Sequence, residues 1–215
     1  MVKENFLSIL KTFLMAILFL ALGSIIGVKF IPYSVRYMLN VAFFIVVLFS
    51  IFSRRGGLIR SKSSMYTYAF ILGILTGSTY IYYFNSLGPN IFLSCVIGIF
   101  LVFAVAYVIA ARSSEQALFR LTPMIWGGIF ALLILEFINI FFFRFGTFDL
   151  VLSTAGILIY SIYAVYIMKS VQVRCRYGRL SEIEVVQLSY SIFISFLNLL
   201  LDLLRLMSII NRNDD

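Results

Sequence analysis

The chain has 215 residues, 62% hydrophobic and 12% charged, with a formal net charge of +8. Soluble domains carry roughly 45–50% apolar and about 25% charged residues, so this composition excludes a water-soluble domain. There is no His, which removes histidine-based metal sites and histidine pH switches, and the basic excess belongs to membrane-flanking loops, not to nucleic-acid binding.

The hydropathy pattern predicts seven spans: Thr12–Ile31, Val35–Phe52, Met65–Phe84, Asn90–Ala111, Pro123–Phe143, Leu150–Met168 and Leu188–Ile210. Each is near the ~20 residues that cross a bilayer, and the runs are apolar on every face, unlike the short alternating strands of a β-barrel. The expected class is an all-α integral membrane protein, and the short connections make residues 1–215 one transmembrane domain.

In the first span, Lys3 and Lys11 precede an apolar run in which Ala21-Leu22-Gly23 looks like a cleavage site. The run continues to Val28, so the segment is read as a retained span. The third span carries Tyr66 and Tyr68 at one end and Tyr80, Tyr82 and Tyr83 at the other, as an interfacial belt would. Gly73 and Gly77 form a GxxxG pair, and Gly127 and Gly128 open the fifth span; both are read as helix-packing sites. Tyr160, Tyr163 and Tyr166 make a packing stripe on the sixth span, with hydroxyls available to a polar seam. Cys95 and Cys175 fall near opposite membrane faces, too far apart for a disulfide.

Orientation follows from the basic residues. An inside N-terminus puts 12 of the 17 basic residues inside, most of them in the loops Arg54–Lys62 and Lys169–Arg179. Lys29, Arg36, Arg144, Arg205 and Arg212 fall outside. The expectation is a cytoplasmic N-terminus and an external C-terminus.

Ionisable groups at membrane depth cost at least ~2.5–3.5 kcal/mol each and so face protein or water. Three stand out: Glu136, Asp202 and Arg205. On the last span, Glu184, Ser191, Ser195, Asn198, Asp202 and Arg205 follow a near-heptad spacing along one face. A lipid-facing helix would not carry this stripe, so the seventh helix is expected inside the bundle. At 1.5 Å per residue, Glu136, Asp202 and Arg205 lie ~20, ~21 and ~25 Å from the inner ends of their helices, close enough in depth to meet. Two carboxylates and one guanidinium would leave a net negative site that favours a cation. The plainer reading is a structural ion pair between Asp202 and Arg205, with Glu136 protonated and Asn139 as helix–helix glue.

No nucleophile elbow, HExxH or phosphate-binding glycine loop is present, and an intramembrane protease would lack its second aspartate or its His; no enzyme is expected.

The segment Ser189–Met207 resembles the last helix of the Bax inhibitor-1 family, at Phe193, Asn198, Leu199, Leu203, Leu204 and Arg205. Tyr160-Ser-Ile-Tyr-Ala-Val-Tyr is similar to that family's sixth helix, and Glu136-Phe-Ile-Asn-Ile-Phe to its fifth. The layout and length are similar to bacterial members. The resemblance implies seven helices with the seventh central, no cofactor, and a passive calcium leak tuned by pH. It also implies a bacterial inner membrane. In such relatives two aspartates on helices six and seven form a proton-sensitive latch; those positions here are Ile167 and Ser195. The expected site is therefore Asp202, Glu136 and Asn198 as oxygen ligands for calcium or another cation, with Arg205 pairing one acid and Asn139, Tyr163 and Tyr166 beside them. The alternative is a non-transporting protein that binds a membrane-protein partner such as a protease or a survival protein. A small-solute transporter is a third reading, disfavoured because no inverted repeat is evident.

Overall fold

A computed structural model describes residues 2–32, 35, 59–138 and 146–213. The expected second span (after Val35), the end of the fifth and Asn139 lie outside the described residues, as does the Glu136 side chain. The described residues form six helices and no strand: α1 (Val2–Phe30), α2 (Lys62–Arg112), α3 (Glu115–Arg120), α4 (Thr122–Ile138), α5 (Gly146–Arg176) and α6 (Glu182–Asn213). Four of them are long and apolar enough to cross a membrane: α1, α2, α5 over Phe148–Arg176 and α6 over Glu182–Asn211.

The helices overrun the apolar segments. α1 begins at Val2, ten residues before the expected span, because its buried positions Asn5, Ile9, Thr12, Ala16, Leu20, Gly23 and Gly27 continue one stripe at helical spacing. α5 runs to Arg176, through what the sequence suggested was the loop Lys169–Arg179. Hydropathy marks where a chain prefers lipid, whereas a helix ends where its backbone bonds end.

α2 spans 51 residues, which as one straight rod would rise ~76 Å, far beyond a ~30 Å hydrocarbon core. Gly88 breaks it with φ 79° and ψ 161°, a conformation that a side chain disfavours, and Pro89 follows where a helix start tolerates it. The bend brings the Phe84 and Phe92 rings within 5.5 Å. The arms on either side, 62–87 and 89–112, each exceed ~20 residues.

The chain divides into two compact units: Met1–Tyr82 with Tyr177–Phe193, and Tyr83–Arg176 with Ile194–Asp215. In the first unit, α1 and the first arm of α2 meet through two reciprocal GxxxG pairs. Side chains at Gly23 and Gly27 would run into the backbone of Phe70 and Ile74, and side chains at Gly73 and Gly77 into the backbone of Leu20 and Ser24. The expected Gly73–Gly77 site is thus a packing seam, and its partners lie in the segment that resembled a cleavage site. Ser189 Oγ of α6 donates to the Ile9 carbonyl at 3.0 Å and to Val185 at 2.7 Å. Asn5 holds the turn before α6: its Nδ2 donates to the Gly178 carbonyl at 2.6 Å, and its Oδ1 accepts from the Leu180 N–H at 3.3 Å. α6 then starts on a capping box, in which Ser181 N–H and Oγ donate to Glu184 Oε2 at 3.0 and 2.9 Å and the Glu184 N–H returns to Ser181 Oγ. Glu184 therefore caps the helix and is not a membrane polar residue. Tyr80, expected in the aromatic belt, is buried in the core at 8% exposure, while Tyr82 is exposed.

In the second unit α4 packs along α5, with Gly128 against the Ile159 side chain. Gly127, the other expected packing glycine, has no described atom within 4 Å of where a Cβ would stand. Tyr163 meets Trp126 edge-on at 6.1 Å and Tyr166 meets Phe119 at 5.8 Å. Lys169 is buried, and its Nζ donates to the Ala110 carbonyl at 3.1 Å and the Ser113 carbonyl at 2.5 Å. It thereby serves the free carbonyls and negative dipole end of α2. One turn on, Gln172 Nε2 donates to the Tyr107 carbonyl at 2.8 Å. Cys95 and Cys175 are both buried free thiols.

Candidate cation site

α6 is the most enclosed of the four long helices: half of its most apolar window is buried, against 22–39% in the others. Its polar side chains differ in kind. Ser191 is half-exposed and donates to the Gln187 carbonyl of its own helix at 3.0 Å. Asn198 is half-buried and its Nδ2 donates back to the Ile194 carbonyl at 3.0 Å. Ser195 is completely buried, and its Oγ finds no hydrogen-bond partner among the described residues.

Asp202 is the acidic residue that α6 hides, at 5% exposure. It is seated on α5, where Gly156 leaves room: a Cβ at Gly156 would land on Asp202 Oδ2 and 2.7 Å from its carboxyl carbon. Arg205, one turn on, brings Nη1 to 4.0 Å from Asp202 Oδ1, at the outer limit of an ion pair, with its own side chain 31% exposed. Part of the Arg205 side chain is therefore exposed while the carboxylate stays enclosed. Asp202 and Arg205 thus form a loose ion pair along one face of α6, with the acid the more deeply buried partner.

The remaining expected residues fall as follows. Glu136 lies on the last turns of α4, its side chain outside the described residues. Ile167 is buried on α5 at 2% exposure. Tyr163 and Tyr166 stack on each other at 6.1 Å with 15° between planes, as part of the aromatic packing with α3 and α4. No group of three His, Cys, Asp or Glu side chains that could chelate a metal occurs among the described residues. Gly156 and Lys169 escaped notice in the sequence, Gly156 because a missing side chain leaves no polar signal, and Lys169 because a lysine at a hydropathy boundary reads as loop charge.

Long apolar helices, one of them enclosing a carboxylate, define an all-helical integral membrane protein. Residues 2–213 match the family model described as Inhibitor of apoptosis-promoting Bax1. The chain belongs to the Bax inhibitor-1 family.

Proposed function

We propose that this protein is a passive cation leak, with Ca²⁺ as the favoured ion, built as one seven-helix transmembrane domain around its last helix. The seven crossings are α1, the apolar stretch after Val35, the two arms of α2, α4 with the apolar residues that follow it, α5 and α6. The basic-residue bias places the N-terminus in the cytoplasm and the C-terminus outside, in a bacterial inner membrane. Asp202 carries the reading: a carboxylate at 5% exposure in a membrane-length helix is costly, and such groups are kept where ions or protons pass. Glu136 and Asn198 add oxygen, and Arg205 holds Asp202 in place. Two acids partly offset by one guanidinium, with the Asn198 oxygen beside them, suit conduction, because a permeant ion must also leave.

Neither Ile167 nor Ser195 can titrate, so the usual two-aspartate latch cannot operate, and flux changes little between about pH 6 and 8. The test is Ca²⁺, K⁺ and H⁺ entry into proteoliposomes across that range. Ca²⁺ flux falls about tenfold or more in Asp202→Asn/Glu136→Gln, as loss of charge-assisted contacts predicts. Equal flux in wild type and this double variant removes both acids from the route. Ion-tight vesicles together with a stoichiometric co-purifying membrane protein replace the leak with an interaction role.

A further inference from the structure

Hydroxyls on membrane helices usually satisfy themselves by donating to the carbonyl four residues back. This chain follows the habit closely: Thr154 donates to Leu150 at 2.8 Å, Ser170 to Tyr166 at 3.1 Å and Ser24 to Leu20 at 2.9 Å. Ser153 breaks it. Its exposure is 0%, and its Oγ has no hydrogen-bond partner among the described residues. A buried hydroxyl left so loses about 1–3 kcal/mol that the adjacent Thr154 does not lose. Ser195 shares the defect, but it stands at the helix-seven latch position of the family.

Ser153 lies three residues before Gly156, on the same buried face of α5. That is ~4.5 Å along the axis from the residue on which the Asp202 carboxylate rests. Calcium takes oxygens at about 2.3–2.6 Å, so one ion can bridge two oxygens up to about 4.6–5.2 Å apart. A water can do the same with longer contacts.

We propose that Ser153 Oγ and the Asp202 carboxylate, seated on Gly156, form a two-oxygen site for a hard cation in the interior of the second unit. This rests on reading the chain as a cation pathway and names two residues that the pathway needs. Gly156 is the positioning residue: with no side chain, it lets the carboxylate lie against α5, one turn from the hydroxyl. Ser153 supplies the neutral ligand. The site holds one carboxylate, partly offset by Arg205 at 4.0 Å, and one dipole, so it strips part of the ion's water without trapping it.

The experiment uses the purified full chain with Tb³⁺ as the probe, its luminescence excited through tyrosine and competed by Ca²⁺, alongside Ca²⁺ flux in proteoliposomes. Ser153→Ala removes a hydroxyl that contributes nothing to folding, so it keeps or raises thermal stability. A purely structural serine would do no more than that. The site requires in addition that Ser153→Ala weaken Tb³⁺ binding and Ca²⁺ flux about tenfold, the factor carried by one lost contact to a charged group. Gly156→Ala lowers both as well, and should it fold poorly, Ser153→Ala alone decides. Unchanged Tb³⁺ binding and flux in Ser153→Ala overturn the site while leaving the leak in place. Ion-tight wild-type vesicles combined with Ser153-dependent Tb³⁺ binding remove the leak and keep the site.

Discussion

Gly77→Ala tests how α1 and the first arm of α2 meet. The new Cβ would stand 2.7 Å from both Cα and O of Ser24, and ordinary contact begins near 3.4 Å. The obstacle is backbone, which cannot rotate away, so α1 must retreat by about 0.7 Å. A gap of that size forfeits about a quarter to a half of each affected dispersion well. A buried side chain such as Leu20 makes about 40–60 contacts of about 0.1–0.2 kcal/mol, so losing a quarter of them costs about 2 kcal/mol. Alanine returns up to about 1 kcal/mol of helix propensity. The internal control is Gly127→Ala, which gains the propensity and meets no described atom within 4 Å. Unfolding in a mild detergent titrated with a denaturing one should separate the two variants by about 2–3 kcal/mol, with Gly77→Ala the weaker. Gly77→Ala combined with Gly23→Ala should cost less than the sum, because the first substitution already opens the seam that the second would open. Equal stability of Gly77→Ala and Gly127→Ala would refute close backbone packing.

Two further outcomes follow from single side chains. Lys169→Met keeps the aliphatic stem but strands the Ala110 and Ser113 carbonyls, and unfolding of the purified protein should show a loss of about 2–3 kcal/mol; stability equal to wild type would mean that those carbonyls find water instead. Asn5→Ala frees the turn before α6 at a cost of about 1–2 kcal/mol, read as faster tryptic cleavage after the exposed Arg176 and Arg179, with no change in rate as the contrary result.

The sequence displayed the long apolar helices and the polar face of the last one because both are periodic in residue type. It displayed Asp202 as a buried acid because an isolated charge in an apolar run is conspicuous. What it hid is tertiary. Gly73 and Gly77 announce a seam, but only the fold names Gly23 and Gly27 as its other side. Gly156 matters through what it lacks. Lys169 serves backbone carbonyls although a charge count treats it as solvated, and Glu184 serves the helix start at Ser181 although its spacing put it on the membrane stripe. Ser189, buried and bonded to α1, fell outside the spacing that picked out Ser191, which is half-exposed.

The first compact unit joins residues up to Tyr82 with residues that begin at Tyr177. During synthesis the ribosome must add the intervening stretch, at about 5–20 residues per second, before the Ile9 carbonyl and the Asn5 amide can reach their partners. For roughly 5–20 s the contacts of Asn5 with Gly178 and Leu180 and of Ile9 with Ser189 cannot form. The first unit can therefore close only after most of the chain has been made. Premature termination anywhere before Tyr177 would leave a membrane intermediate exposed to surveillance proteases.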